Sequence, residues 1–188
     1  MQKKSAFLQV FRVAIFVFLI GGLQNQPVYA GSAADLIQGE MKDFVLHAEP
    51  KPLPDVDFLD VTSRPIKLSD FRGRLVLLTL WATWCPYCSI EMPMLSDMQE
   101  EFGRDKFMVL PISVDKEGPR VVKKYLEEKS INLPTYSDPK MRLGISLRAS
   151  GVPYAILIDQ QGREIGRIPG ETNWKAPEAA ALIKAFIK

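Results

Sequence analysis

Two cysteines three residues apart constrain this chain more than any other feature. Cys85 and Cys88 are its only cysteines, and they stand at the junction of two patterns. The apolar run 75–80 predicts a buried strand before them, and apolar residues at helical spacing over 90–98 predict a helix after them. Unpaired N–H groups at a helix start stabilise a thiolate. The spacing therefore predicts a redox pair, with Cys85 as the exposed attacking thiol and the more buried Cys88 as the resolving thiol.

Other uses of a Cys-x-x-Cys pair fit less well. A zinc site would need further ligands, but there is no second cysteine pair, and the one histidine, His47, lies far upstream. A purely structural disulfide that closes so short a loop would stabilise the fold little. A peroxiredoxin site is not indicated, because neither cysteine has Ser or Thr three residues before it. A Cu(I)-binding module using both thiolates, with Met92 or Met94, remains open as the alternative to an enzyme.

The motif around the cysteines resembles that of a known family. Residues 81–88 (WATWCPYC), followed by 91–93 (EMP), are similar to the active site of TlpA/ResA-type thioredoxin-like proteins, especially the alphaproteobacterial TlpA group. The similarity spans roughly residues 50 to 188 and includes three further motifs, 68–73 (LSDFRG), 151–153 (GVP) and 157–159 (LID). The resemblance implies an α/β thioredoxin-like fold. In such a fold a central mixed sheet is flanked by helices, with an N-terminal hairpin extension and a central βα insertion.

The resemblance also assigns a substrate-binding surface. It implies a cis peptide bond before Pro153, opposite Cys85, which leaves the Val152 backbone free to pair with a bound peptide. Trp84 directly precedes Cys85, so we expect it to cover the thiol and contact the substrate, whereas we expect Trp81 to lie in the core.

Glu91 is the third predicted catalytic residue. It follows Cys88 by three residues, which places both on one side of a helix. The resemblance implies that Glu91 is the acid/base partner of Cys88, because Thr79 stands where thioredoxin has an aspartate. Such a role needs a carboxyl pKa raised by burial. The dipeptide Pro86-Tyr87 departs from the Gly-Pro of thioredoxin and leaves the reduction potential undetermined.

The N-terminus resembles an export signal. Lys3 and Lys4 precede an unbroken apolar run over 13–23, and residues 28–30 (VYA) offer a small-residue cleavage site. Eleven apolar residues are too few to span a bilayer, although an uncleaved inner-membrane anchor remains an alternative to a cleaved signal. We therefore expect a periplasmic protein with three parts: a signal or anchor (1–30), a short helix and connector (31–54), and a thioredoxin-like domain (55–188).

Charge and composition restrict the partners. The net charge of +2 becomes −1 without the first 30 residues, and the sequence has no basic tract, so we expect no nucleic-acid binding. No metal and no cofactor besides the Cys85–Cys88 disulfide is expected. The resemblance implies a disulfide reductase in cytochrome maturation or metal-site assembly. Its partners would be a client protein with a cysteine pair and a membrane thiol electron donor.

Periodicity predicts the remaining elements. We expect a largely parallel sheet with an antiparallel terminal hairpin, and a solvated His47. The predicted helices cover 33–47, 86–102, 119–129, 139–147 and 177–187. Strands are predicted over 57–60, 65–68, 106–114, 132–136, 154–159 and 164–168, with an extended connector over 49–54.

Overall fold

Eight strands form one continuous sheet in residues 35–187, the part of the chain that this computed structural model describes. The strands are β1 (Val45–Pro52), β2 (Phe58–Asp60), β3 (Pro65–Ile66), β4 (Leu75–Trp81), β5 (Phe107–Ser113), β6 (Tyr136–Ser137), β7 (Tyr154–Ile158) and β8 (Arg163–Pro169). Their order across the sheet is β1-β8-β7-β4-β5-β6-β2-β3. Only β4–β5 and β5–β6 are parallel. The mixed sheet is confirmed, but the expectation of a largely parallel one is wrong, because antiparallel strands flank the parallel centre on both sides.

Four α-helices accompany the sheet. They are α1 (Pro86–Phe102), α2 (Pro119–Glu128), α3 (Arg142–Ser146) and α4 (Pro177–Phe186), and single-turn 3-10 helices occur at Gly39–Met41 and Leu68–Phe71. A proline stands at the start of α1, α2 and α4, where its missing N–H has no intrahelical partner to lose. These three predictions are confirmed within one residue. The helix predicted over 139–147 is shorter, because Met141 has a left-handed backbone with φ of 52°.

The predicted N-terminal helix is wrong. Its first two residues lie outside the described part, and the rest contains one 3-10 turn and then the start of β1, which pairs antiparallel with β8. The predicted connector is extended, as expected, but its first four residues belong to the same strand. His47 is also not solvated: its ring nitrogen Nε2 lies 2.7 Å from the buried Glu164 carboxylate. Pairing with a strand more than 100 residues away overrides the local helical spacing.

The two short strands after β1 differ in outcome. The predicted hairpin is confirmed as β2–β3, and β2 also joins the main sheet through β6. The strand predicted over 132–136 instead forms at Tyr136–Ser137, where it pairs with the end of β5. Helix α2 and strand β6 lie between β5 and α3, and a central βα insertion stays a prediction.

The core lies on both faces of β4, every residue of which is buried. Leu77 and Trp81 face the side covered by α1, α2 and α4. Leu78 and Leu80 face the side covered by α3 and the β2–β3 hairpin. Burial on both faces explains why this strand is a continuous apolar run instead of an alternating one.

The predicted signal or anchor lies outside the described residues. From residue 35 to residue 187, no helix is long and apolar enough to cross a membrane.

Candidate active site

A disulfide joins Cys85 and Cys88 at the start of α1, with their Cα atoms 5.2 Å apart. Cys85 is the N-cap residue, and its Sγ accepts a hydrogen bond of 3.1 Å from the backbone N–H of Cys88. One first-turn amide, that of Cys88, therefore points at the first sulfur. In this oxidised form Cys85 is only 4% exposed, so the expected exposed thiol is not observed. Cys85 belongs to the same buried core cluster as Cys88 and Met92.

The cis peptide bond implied by the resemblance is confirmed between Val152 and Pro153. It stands opposite the disulfide, with Cys85 Sγ 3.8 Å from the carbonyl oxygen of Val152. Pro153 is buried and Val152 is half-buried. Among the described residues, no hydrogen bond occupies the backbone N–H of Val152. A substrate backbone pairing with Val152 stays a prediction, but the geometry leaves that amide open.

Glu91 is a buried carboxyl one turn after Cys88. It is 3% exposed, and its Oε1 accepts a hydrogen bond of 2.6 Å from the backbone N–H of Thr172. Burial raises the pKa of Glu91 to about 8, and the nearby charge of Glu171 acts in the same direction. The Thr172 amide and the Trp174 indole N–H lower the pKa and only partly offset the burial. A carboxyl with this pKa can exchange a proton near neutral pH.

Thr172 and Trp174 were not identified from the sequence. Both are buried in the loop between β8 and α4, and they reach the carboxyl from 81 and 83 residues away along the chain. The Trp174 Nε1–H faces Glu91 without a hydrogen bond of good geometry. No local pattern marks these residues, since their placement depends on how the loop crosses α1.

Thr79 has a hydroxyl side chain, so it cannot act as a second buried acid beside Glu91. It is buried on β4, two residues before Trp81, and its Oγ1 has no hydrogen-bond partner among the described residues. Thr79 faces the same side of the sheet as Leu77 and Trp81, which pack in one cluster with Cys88. This is the face that α1 covers.

A second buried carboxylate holds the turn that precedes the cysteines. Asp115 accepts hydrogen bonds from the Thr83 backbone N–H (2.9 Å), the Thr83 hydroxyl (2.7 Å) and the Ser113 hydroxyl (2.6 Å). Asp115 therefore fixes the end of β5 against the loop that carries Trp84. Its contribution was also missed from the sequence, because the contact spans 32 residues.

Exposed apolar side chains surround the disulfide. Trp84 is 67% exposed, and Tyr87 and Ile90 on α1 are exposed as well. Trp81 is buried, which confirms its place in the core. Contact of Trp84 with a substrate stays a prediction.

The two methionines that were candidate ligands for Cu(I) differ in burial. Met92 is fully buried in the cluster that contains both cysteines, whereas Met94 is partly buried at its margin. Within residues 35–187, no group of three or more His, Cys, Asp or Glu side chains could hold a metal ion.

The sequence also matches known proteins. A family model for the AhpC/TSA family matches residues 50–163. The thiol-disulfide oxidoreductase ResA of Bacillus cereus is 26% identical over 169 residues, which cover 90% of this chain and 91% of ResA. The thiol:disulfide interchange protein DsbE of Pseudomonas aeruginosa is 28% identical over 161 residues, covering 86% and 81% of the two chains.

Solved structures agree with these matches. A DsbE-type thiol:disulfide interchange protein from Chlorobium tepidum superimposes with a TM-score of 0.65 at 25% identity, covering 74% of this chain and 98% of that one. A thiol-disulfide oxidoreductase from Bacteroides vulgatus gives a TM-score of 0.63 at 26% identity, with coverage of 74% and 97%. The chain therefore belongs to the AhpC/TSA family and is a thiol–disulfide oxidoreductase with a thioredoxin-like fold.

Proposed function

We propose that this protein is an exported reductase of protein disulfides, with Cys85 as nucleophile, Cys88 as resolving thiol and Glu91 as their proton acceptor. The observation that carries the proposal is the buried carboxyl of Glu91. It lies one helical turn after Cys88, and its pKa is raised to about 8. A carboxyl that titrates near neutral pH can take up the proton that the buried Cys88 must lose before it attacks.

The reaction begins with the dithiol form. The Cys85 thiolate, stabilised by the first-turn amides, attacks one sulfur of a client disulfide. A Cys85–client disulfide forms and the client's other sulfur leaves as a thiolate. Cys88 then gives its proton to Glu91 and attacks the Cys85 sulfur, which releases the second client sulfur. The client gains two electrons, its two departing thiolates take up one proton from Glu91 and one from water, and the Cys85–Cys88 disulfide is left.

A membrane thiol donor closes the cycle. It passes two electrons to the Cys85–Cys88 disulfide by the same exchange chemistry in the opposite direction. The client would carry a cysteine pair, as in cytochrome maturation or metal-site assembly. The resemblance of the cysteine motif to TlpA/ResA-type proteins supports this assignment, and the names of the ResA and DsbE relatives support thiol–disulfide exchange as its chemistry.

The client would bind across the cis-proline loop. Trp84 would contact the residues beside the client's disulfide, and the open Val152 amide beside Pro153 would pair with its backbone. Such pairing would hold the client sulfur near Cys85 without fixing the identity of every client side chain.

Export is proposed from the N-terminus. The charged start, apolar run and small-residue site in residues 1–30 support a periplasmic location, with either cleavage near Ala30 or retention in the inner membrane. Carbonate extraction of membranes followed by N-terminal sequencing separates these two outcomes. Protein found only in the cytosolic fraction, with Met1 intact, would contradict export.

Trapping of the mixed disulfide tests the reductase. Cys88→Ser should accumulate a covalent complex with an oxidised client peptide through Cys85, because the resolving thiol is missing. Cys85→Ser should trap none, and the wild-type protein should release reduced peptide. Equal trapping by both variants would contradict the assigned roles.

Cu(I) binding is the alternative function, favoured by the burial of Met92 beside both cysteines. Reduced protein would then hold one Cu(I) in the presence of glutathione and would fail to reduce a client disulfide. Catalysed reduction, with copper lost to glutathione, would exclude this alternative.

A further inference from the structure

A stretch of the chain that contains basic but no acidic residues ends at the active site. Between Asp138 and Asp159 the sequence contains no Asp or Glu. The same stretch contains Lys140, Arg142 and Arg148, all exposed. We call residues 139–152 the basic segment. Its composition is unusual for this chain, whose described part has slightly more acidic than basic residues.

The topology brings one end of the basic segment to the disulfide and the other end to the same edge of the sheet. The segment starts after β6, which is anchored to the end of β5 by the hydrogen bond from Asp138 N–H to the Ser113 carbonyl (2.7 Å). Since β5 is parallel to β4, this is the edge at which Cys85 follows β4. The segment ends at Val152, whose carbonyl oxygen lies 3.8 Å from Cys85 Sγ.

Its middle is fixed against the same edge. A methyl group on Gly144 would lie 3.6 Å from Leu80 Cδ1, so α3 packs directly on the end of β4. The cations of the basic segment are thus carried on and around a helix that packs at the end of β4, the strand that leads to Cys85.

The three cations of the basic segment have no protein partner. Among residues 35–187, the side chains of Lys140, Arg142 and Arg148 make neither an ion pair nor a hydrogen bond. Cations elsewhere are often paired, as in Lys123–Glu127, Lys124–Glu128 and Lys175–Asp97. Nothing inside the described fold neutralises the charge of the basic segment.

Exposed apolar side chains lie among these cations. Ile145 is 68% exposed and Met141 is also exposed. Met141 and Arg148, at the two ends of α3, have left-handed backbones with φ of 52° and 56°. This conformation costs energy for residues other than glycine, and such strain concentrates at functional sites. The combination of free cations and exposed apolar side chains is typical of an interaction surface.

The other loop that reaches the active site carries the opposite sign of charge. Glu171 is exposed in the β8–α4 loop, next to Thr172, whose backbone N–H binds the Glu91 carboxyl, and Lys175 in that loop is already paired with Asp97. The two loops that contact the residues of the active site therefore differ in their unpaired charge.

We propose that the basic segment is a docking surface for clients with acidic residues beside their reducible disulfide. The inference rests on the proposed function, because it requires a client disulfide at Cys85. Cations on a rim act mainly on the encounter rate, and their effect falls with salt. Placement on one side of the thiols would also orient the client.

Three disulfide peptides that differ only in the residues flanking their cysteines test this proposal. The flanking residues are Glu, Gln or Lys. Single-turnover reduction by the dithiol protein is measured at low salt and at 0.5 M salt, where the screening length is about 4 Å. We expect second-order rates at least about 10-fold higher for the Glu peptide than for the Lys peptide at low salt, converging at high salt.

Two triple variants, each of which removes three positive charges, test whether the preference for the Glu peptide depends on the basic segment. Lys140→Gln/Arg142→Gln/Arg148→Gln should remove most of the preference. The matched control is Lys51→Gln/Lys106→Gln/Lys129→Gln, which changes three exposed cations outside the basic segment. Lys51 and Lys106 lie at the end of the sheet at which β4 begins, and Lys129 follows the last residue of α2. It should keep the preference. Equal loss in both variants, or no preference in the wild-type protein, would overturn the proposal.

Two further measurements separate the remaining explanations. The neutral 2-hydroxyethyl disulfide should be reduced equally by the wild-type protein and both variants. If none of them reduces it, the proposed function fails. If it is reduced but the peptides are not distinguished, only the docking surface fails. Sedimentation with phosphatidylglycerol vesicles tests an anionic membrane instead. Suppose that the protein binds these vesicles through the basic segment but does not distinguish the peptides. The segment would then bind a lipid surface, and the proposal of an acidic client would be overturned.

Discussion

The Glu91 carboxylate accepts a hydrogen bond of 2.6 Å from the backbone N–H of Thr172, 81 residues further along the chain. This contact joins α1, which carries the cysteines, to the loop between β8 and α4. It also gives the buried carboxyl one fixed donor and leaves the pKa of Glu91 under the control of burial. The protonation of Glu91 should therefore be visible in the stability of the whole protein.

Stability should fall as pH rises through the titration of Glu91. Its folded-state pKa of about 8 lies above the ordinary 4.5, so the folded state holds a proton that the unfolded state has lost. The stabilisation is complete below pH 4.5 and is lost as pH approaches 8. We expect the stability of the wild-type protein relative to Glu91→Gln to drop by about 4 kcal/mol between pH 5 and pH 9.

Urea unfolding of the oxidised proteins at several pH values measures this difference. Gln can accept the same bond from the Thr172 amide, so Glu91→Gln should fold and differ only in titration. A constant difference across this range would contradict a buried, protonated Glu91.

Loss of the Trp174 indole N–H should raise the pKa of Glu91 further. The donor favours the ionised carboxylate, and phenylalanine cannot replace it. We expect Trp174→Phe to move the Glu91 titration to higher pH. The ¹³C shift of the Glu91 carboxyl carbon in oxidised protein reports it, with Glu91→Gln identifying the signal. Trp84→Phe, which changes an exposed tryptophan, is the control and should leave the titration where it is.

Elements of the fold that local sequence patterns specify were predictable, and elements that depend on long-range pairing were not. The strand β4, the cysteine turn and helix α1 were predicted closely, because each is specified by neighbouring residues. The β1 strand was not, since apolar residues such as Met41 and Phe44 repeat at helical spacing and only pairing with β8 reveals the strand. Thr172 and Trp174 were missed for the same reason: a loop crossing α1 leaves no local periodicity.

The buried Glu164 should stabilise the protein at neutral pH and cease to do so in acid. Burial alone would raise its pKa, but bonds from Arg167 and His47 outweigh burial and hold the pKa below its usual value. The stabilisation is therefore present above pH 4.5 and is lost as pH falls through the lowered pKa. We expect Glu164→Gln to cost about 3 kcal/mol at pH 7, because the Arg167 charge is left half-buried without its partner.

Thermal or urea unfolding at pH 7 and pH 3 checks this. The matched control is Glu127→Gln, which breaks the exposed pair with Lys123 and should cost less than about 1 kcal/mol. Equal costs for the two variants would contradict a structural role for the buried pair.

A side chain at Gly166 should loosen β1. A methyl group there would lie 2.5 Å from the Phe44 ring and 2.6 Å from the Val45 carbonyl oxygen. Since the backbone of β1 would have to move, we expect Gly166→Ala to cost about 2 kcal/mol or more. Hydrogen exchange should show early loss of protection in residues 45–52. Gly151→Ala, where nothing lies within 4 Å, is the control for stability and should be close to neutral.

The two outermost strands of the described sheet are poor templates for any further strand. β1 carries Pro50 and Pro52, which cannot donate to a ladder, and β3 is only two residues long and begins with Pro65. A stray peptide therefore finds little to pair with at either margin. The edges of the sheet therefore disfavour self-association. The backbone N–H of Val152, beside the disulfide, is the better place on this domain for an extended chain to pair.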